Sequence, residues 1–309
     1  MPVTDIIGNW EEFMKILNFG SVNIDHVYSV EHFVRPGETL SSLLYSRFSG
    51  GKGANQSIAL AKAGADVFHA GKIGSDGIWL KDNLKKCGVC TGFLKVGKIP
   101  TGHAVIQVSK SGENSIVLYG GSNQDIDENF AKKAIAKFSK GDYLLLQNEI
   151  SSIPFIMEKA HQRGMKIVFN PAPMNSPVKS YPLKLVDIFI LNEIEGSELS
   201  GRKGFQDVLR EMKRKYPKAL TIMTLGSKGA AFIENGRIVF VPAVKVKPVD
   251  TTAAGDTFIG YFLAGIAKGM KTGDAARMAC RASAICVTRK GAADSIPEMR
   301  EVRRTALRA

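Results

Sequence analysis

Four short runs, "YLLLQ" (143–147), "KIVFN" (166–170), "DIFILN" (187–192) and "LTIMTL" (220–225), are apolar almost without interruption. A strand with one wet face alternates polar and apolar residues; a strand covered on both faces has no such need. Between these runs, residues 152–164 and 205–215 carry helical spacing. "KILNFG" (15–20) reads as a further strand and "ANQSIALAKAG" (54–64) as an Ala-rich helix. Doubly buried strands alternating with helices predict an α/β fold, a mostly parallel sheet with helices on both faces. A chain of 309 residues, 44% of them hydrophobic, has enough apolar material for that core.

Two regions break the rhythm. Residues 24–49 look extended, and 103–119, "HAVIQVSKSGENSIVLY", hold two alternating runs around Ser-Gly-Glu-Asn, a hairpin signal. Both fit a small antiparallel sheet beside the main one. With no linker, repeat or low-complexity tract, the chain reads as one α/β domain over 14–309 with β segments near 24–49 and 100–121. Residues 1–13 read as an N-terminal extension, and Met14, just before the first strand, as an alternative start.

Lys plus Arg outnumber Asp plus Glu by 42 to 29, a formal charge of +13. Such a balance serves nucleic acid or anionic small substrates. The densest basic stretch, 202–218, places Phe205, Val208, Leu209 and Met212 at helical spacing, which makes it the wet side of an amphipathic helix. No basic segment is interleaved with aromatics, so nucleic acid is not the expected partner. Cys87-Gly-Val-Cys90 is a lone CxxC, readable as a redox or half-zinc motif or as a helix end beside a glycine cap. Four cysteines in so long a chain fit a reducing cytoplasm. The first residues lack the apolar core of a signal peptide, and no apolar run approaches a membrane span, so no membrane partner is expected.

Ligands of open parallel sheets bind beyond the carboxyl ends of the strands. Residues following the predicted strands include Asn23, Asp25, Glu149, Asn192, Glu195, Thr224, Gly226 and Gly229. Each alone also reads as a cap or turn residue. Two glycine-bearing segments open helices. "FSGGKGANQ" (48–56) sets Gly50, Gly51 and Gly53 around Lys52, yet matches neither a dinucleotide fingerprint nor a P-loop. "VDTTAAGDTFIGYF" (249–262) leads through Ala253, Ala254 and Gly255 to Asp256. Small residues at a helix N-terminus leave unpaired N–H groups to hold an anion. Asp256 reads either as a first-turn acid favoured by the dipole or as a base facing an acceptor hydroxyl.

"GGKGANQ" with "ALAKAGADVFHAGKIGSDGIW", and "DTTAAGDTF", together resemble the two signatures of the ribokinase/PfkB family of carbohydrate kinases. "LNEIE" is similar to the family's N-x-x-E element and "VTRKGAADSIP" (287–297) to its C-terminal turn. The resemblance implies a three-layer α/β/α sandwich with a β lid that pairs two subunits into a homodimer. It also implies ATP- and Mg²⁺-dependent, K⁺-activated transfer of a phosphoryl group to the primary hydroxyl of ribose. A sister activity on deoxyribose, another sugar or a nucleoside is the alternative, and a non-catalytic sugar-binding regulator the non-enzyme one.

The resemblance makes Asp256 the general base, the N–H groups of Ala253, Ala254 and Gly255 the anion hole, and Lys52 a contact to the phosphates. Asn23, Asp25, Gly51, Lys52, Asn55 and Glu149 would hold the sugar. Asn192, Thr224, Gly226, Ser227, Gly229, Gly255 and Cys280 would line the nucleotide site, and Glu195 would organise Mg²⁺ through water. Asp250, Thr252, Cys286, Arg289, Gly291 and Ser295 would surround K⁺, several through carbonyl oxygens. Three positions depart from the usual pattern: Ala253 for glycine, Cys286 for alanine and Ser122 for alanine. A left-handed backbone disfavours alanine, so an ordinary helical or extended conformation is expected at Ala253.

Overall fold

Ile16 and Leu17 are both fully buried, yet they belong to different cores. So do Leu145 against Leu144 and Leu146, and Ile190 against Phe189 and Leu191. Successive strand side chains point to opposite faces, so uninterrupted apolar strands need cover on both sides.

The computed structural model describes residues 14–306, so the expected extension over 1–13 lies outside the described residues. Its strands are β1 (Ile16–Phe19), β2 (Asn23–Val30), β3 (Leu44–Gly50), β4 (Val67–Ile73), β5 (Cys90–Val96), β6 (Gly102–Ser109), β7 (Asn114–Tyr119), β8 (Tyr143–Gln147), β9 (Lys166–Asn170), β10 (Ile188–Leu191), β11 (Leu220–Thr224), β12 (Gly229–Glu234) and β13 (Arg237–Pro242). Its helices are α1 (Lys52–Lys62), α2 (Ile78–Lys86), α3 (Glu128–Ile135), α4 (Ile153–Gln162), α5 (Glu193–Ser200), α6 (Phe205–Lys215), α7 (Ala254–Ala267), α8 (Thr272–Cys286) and α9 (Met299–Ala306).

The large sheet runs β13-β12-β11-β10-β9-β8-β1-β4-β5. It is parallel from β11 to β5, with β12 and β13 added antiparallel at one edge. Helices α1, α2, α7, α8 and α9 cover one face and α3 to α6 the other. The basic stretch behaves as expected: Val208, Leu209 and Met212 of α6 are buried while its cations face out. The CxxC is a helix end, with Cys87 capping α2 and Gly88 at φ +87° closing it.

A second sheet, β3-β2-β6-β7, is built from the two irregular regions; its outer pairs are antiparallel as expected, but β2 and β6 run parallel. Its β6–β7 hairpin turns where Ser-Gly-Glu-Asn predicts, with Gly112 at φ +84°. β1 passes through residues 20–22 straight into β2, so the end of a central strand becomes the start of this lid.

α7 lies between α1 and α8 and is buried almost all round. Its approach to α1 depends on Gly260, where an added Cβ would sit 2.3 Å from that of Ala59. Small residues on both helices thus bring the N-termini of α1 and α7 together. That crossing positions the site.

Candidate active site

α1 begins against the end of β1. Gly51 caps it at φ +91°, and a Cβ on Gly53 would lie 2.4 Å from the Ser21 backbone nitrogen. The glycines of "GGKGANQ" therefore serve close backbone contact, which lets the first turn of α1 reach the sheet edge. That turn presents Lys52, Asn55 and Gln56.

Asp256 is in the first turn of α7, only 8% exposed. Asn55 Nδ2 donates to its Oδ2 at 3.1 Å and Gln56 Nε2 to its Oδ1 at 2.9 Å. The Asp256 carboxylate holds the Lys52 ammonium above its usual range despite burial, with Glu149 and Glu195 adding to the effect. Residues from α1 and α7, two hundred positions apart, thus form one charged cluster.

The expected backbone at Ala253 is corrected by the structure. Ala253 caps α7 at φ 58°, ψ 7°, left-handed, not helical or extended. The chain must turn sharply between the 249–252 segment and the axis of α7, whose burial between α1 and α8 fixes its direction. Tertiary packing overrides the preference of alanine, at a cost of about 1–2 kcal/mol. Of the three N–H groups expected to hold an anion, that of Ala254 also turns back to the Thr251 carbonyl at 3.3 Å, a long bond.

On the lid side, Glu149 follows β8. Its Oε2 accepts from the Ser21 hydroxyl and from the Lys52 backbone N–H at 3.0 Å. Burial pushes Glu149 above the usual carboxylate range and pushes Asp25 to about 6, Glu149 itself contributing to the latter. Asn23 is buried, and its Oδ1 accepts from Asn123 Nδ2 at 2.7 Å. Asn123, from "GGSNQ", also accepts from the Val22 N–H at 3.0 Å, so it anchors the β1–β2 junction. Its role had no signal in the sequence. Neighbouring Ser122 is buried and donates to the Lys72 carbonyl at 2.9 Å.

On the other side of Asp256, two cavities meet at Thr224, Thr251 and Gly255. The smaller, about 210 Å³, holds Lys52, Asn192, Glu195, Ala253 and Asp256. The larger, about 580 Å³, is lined by Gly226, Ser227, Gly229 and Cys280, which the sequence reading assigned to the nucleotide, and by Ala254, which it assigned to the anion hole. It also takes in Val244, Val246, Phe258 and Val287, which sequence reasoning missed, because an apolar loop residue has no signal until the fold turns it inward. Burial pushes the Cys280 thiol up to about 11, so it lines the wall as a neutral group. Glu195 and Asn192 form a capping box at the start of α5, with reciprocal bonds of 2.9 Å. Burial raises the Glu195 carboxyl, against the bonds from the Asn192 and Asn170 amides.

The expected potassium residues converge, but beside these cavities. Asp250 Oδ1 accepts from Thr252 N at 2.9 Å and its hydroxyl at 2.6 Å, and Oδ2 accepts from Gly291 N at 3.0 Å. Burial alone would raise this carboxyl, but those bonds outweigh it and hold it low. Cys286 Sγ lies 3.1 Å from the Ser295 hydroxyl. The Arg289 guanidinium turns away to Glu301, leaving only its backbone near the group. The donor set is rich in oxygen, as a hard monovalent cation requires. Among the described residues no three His, Cys, Asp or Glu side chains gather to cage a metal. A divalent ion here would depend on phosphate and water oxygens for the rest of its shell.

The arrangement is a buried aspartate in the first turn of a helix, with two joined cavities on one side and the hydrogen-bonded residues of the α1 turn on the other. The chain is similar to the ribokinase of Haemophilus influenzae, 39% identical over 291 residues, 91% of this chain and 95% of that one. It is 35% identical to the ribokinase of Staphylococcus aureus over 300 residues, 93% of this chain and 98% of that one. The structure of a ribokinase from Cryptococcus neoformans in complex with ADP superposes with a TM-score of 0.83 at 37% identity, covering 94% of this chain and 99% of that one. A ribokinase from Arabidopsis thaliana, complexed with ribose and ATP, gives 0.83 at 29% identity, covering 94% and 98%. Residues 14–299 match the family described as pfkB family carbohydrate kinase, and the chain belongs to that family.

Proposed function

We propose that this kinase transfers the terminal phosphoryl group of ATP to the 5-hydroxyl of D-ribose, giving ribose 5-phosphate and ADP. One observation carries the reading: Asp256 lines the smaller of two joined cavities, beside Lys52 and Glu195, while its carboxylate accepts from Asn55 on the turn of α1 whose Lys52 N–H bonds Glu149. The substrate follows from the full-length similarity to ribokinases, one of them a complex with ribose and ATP.

In this reading ribose lies under the lid, held by Asn23, Asp25, Gly51, Asn55 and Glu149. Amides and carboxylates accept or donate in fixed directions and so select hydroxyl geometry. Asp256 takes the proton of the 5-hydroxyl as that oxygen bonds to phosphorus and the bond to ADP breaks. The N–H groups of Ala253, Ala254 and Gly255 and the Lys52 ammonium meet the charge on the phosphoryl oxygens. ATP lies along Asn192, Thr224, Gly226, Ser227, Gly229 and Cys280. Glu195 would hold Mg²⁺ through water, and the ion would neutralise charge on the phosphates. Asp250, Thr252, Cys286, Arg289, Gly291 and Ser295 would hold K⁺, several through carbonyl oxygens, beside the segment that leads into the anion hole.

Residues 14–309 form the kinase domain in this proposal, and the second sheet is its lid and its dimer contact. Leu44, Ile116, Val117, Leu118 and Tyr119 on that sheet are each about half exposed or more, an apolar surface that a second copy of the lid would bury. Cytoplasmic placement rests on four free cysteines, and among the described residues no helix is long and apolar enough to cross a membrane.

The test is turnover of a panel of sugars and nucleosides, with and without K⁺, for the native chain and Asp256→Asn. Ribose is expected to be preferred, K⁺ to stimulate, and the variant to bind ribose while losing at least ~10²-fold in kcat. Preference for a nucleoside, or near-normal turnover by the variant, would sink the substrate or the base assignment respectively.

A further inference from the structure

Behind Asp256 lies a chain of buried amides that no step above uses. Gln56 and Gln147 are 0% exposed, as are Asn18, Ser57 and His69. Gln56 Nε2 donates to Asp256 Oδ1 at 2.9 Å. Gln147 Nε2 donates both its hydrogens, to Gln56 Oε1 at 2.6 Å and to Asn18 Oδ1 at 3.0 Å. Asn18 Nδ2 donates to the Gly53 carbonyl and to Ser57 Oγ, each at 2.8 Å.

An amide can be turned end for end, and only its partners decide which end faces where. Here the two ends have no choice and agree: the Gly53 carbonyl at one and the Asp256 carboxylate at the other can only accept, and Gln56 Nε2 also reaches Asn170 Oδ1 at 3.4 Å. The Gly53 carbonyl can only accept, so Asn18 must point its nitrogen at Gly53 and its oxygen at Gln147. Gln147 must then offer N–H to Asn18, and the same nitrogen reaches Gln56. Gln56 consequently turns its oxygen to Gln147 and its nitrogen to Asp256. Gln147 Oε1 meets no donor among the described residues, so its two donated bonds alone set its orientation.

We propose that Gln56 and Gln147 are positioning residues for the base: Gln147 sets the polarity of the Gln56 amide, which holds Asp256 in place by an N–H. Asn55 supplies the second N–H, at 3.1 Å, to the other carboxylate oxygen. With both oxygens held, the carboxylate has one orientation toward the acceptor hydroxyl. The far anchor of the amide chain is a backbone carbonyl of the same glycine segment that caps α1. Packing of α1 on β1 and orientation of the base are therefore one structural event. Buried His69, pushed down to about 4 by desolvation, ends the chain as a neutral ring beside Ser57.

The proposal rests on Asp256 acting as the base, and its test separates the two. Gln147→Glu keeps shape, and as a carboxylate it only accepts, so it competes with Asp256 for the Gln56 N–H and pulls the Gln56 nitrogen toward residue 147. Gln147→Met removes the donors without reversing anything, so the Asp256 carboxylate alone still attracts the Gln56 N–H. Both are assayed with the best acceptor from the panel, alongside sugar KM and melting temperature. Expected is a kcat for Gln147→Glu about 10–100-fold below that of Gln147→Met, the range of one hydrogen bond to a charged group, with sugar KM within about twofold of the native value. Equal kcat in the two variants, or a KM that rises in step with the loss, overturns the proposal in favour of simple packing. If Gln147→Glu does not fold, Gln56→Met decides: kcat must fall about tenfold or more with sugar KM kept, and retained kcat overturns it. A native enzyme that prefers another acceptor refutes the ribose reading only, since the comparison is then made on that acceptor.

Discussion

Gly53→Ala is expected to cripple the enzyme although the substitution adds only one methyl, aimed at the backbone that follows β1. The new Cβ would stand 2.4 Å from the Ser21 nitrogen and 2.6 Å from two Gly20 backbone atoms, where ordinary contact begins near 3.4 Å. All three atoms are backbone, so no side chain can swing aside. The shortfall, about 1 Å, has to be met by the first turn of α1 backing away from the end of β1. Lys52, Asn55 and Gln56 move with that turn, and the bonds at 3.1 and 2.9 Å to Asp256 stretch beyond useful length. A misplacement of about 1 Å in catalytic geometry lowers turnover by roughly 10²-fold, and overpacking of this kind destabilises by about 1–3 kcal/mol. Steady-state kinetics and thermal melts check both numbers. Gly92→Ala is the control, because a Cβ there meets nothing within 4 Å and β5 lies at the sheet edge. A Gly53→Ala enzyme with kcat within about threefold of native and an unchanged melting temperature would refute the close-packing argument.

Other consequences follow from particular residues. Asp25 titrates near 6 and must be ionised to accept sugar hydroxyls, so ribose KM should rise about tenfold between pH 7 and 5, a slope absent in Asp25→Asn. Because its folded value lies above the ordinary 3.8, its contribution to stability of the sugar-free protein is present below that value and lost as pH rises through about 6; melts of Asp25→Asn across pH 4–7 should lack that change. At Ala253, φ 58° tolerates glycine but opposes a β-branched side chain, so Ala253→Val should melt below Ala253→Gly by the equivalent of about 1–2 kcal/mol. Val117, 69% exposed on β7, lies in the proposed contact between lids; the native chain should sediment as a dimer and Val117→Asp as a folded monomer, and a monomeric native chain would refute the contact.

Much of this protein is readable without coordinates because the signals are local. Uninterrupted apolar runs between helical patterns announce a doubly covered parallel sheet, since a strand's periodicity reports how many of its faces are wet. Small residues before Asp256 announce a helix N-terminus with a carboxylate in its first turn, since backbone donors and glycine tolerance are properties of a few consecutive residues. The hairpin at 110–114 is of the same kind.

What only the tertiary structure decides is whatever depends on direction between distant segments. Ala253 is left-handed because α7 is clamped between α1 and α8, and no propensity of alanine anticipates that. Val244, Val246 and Phe258 become a cleft wall only when the 243–246 segment folds across α7 and α8. Gln56 and Gln147 read in sequence as a helix residue and a strand end, 91 positions apart. Which end of each amide faces the other is fixed through Asn18 on a third segment, between the Gly53 carbonyl and the Asp256 carboxylate, because a hydrogen bond has polarity and polarity propagates only through contact. The chemistry of Asp256 is written in its neighbours along the chain; its aim is set by neighbours in space.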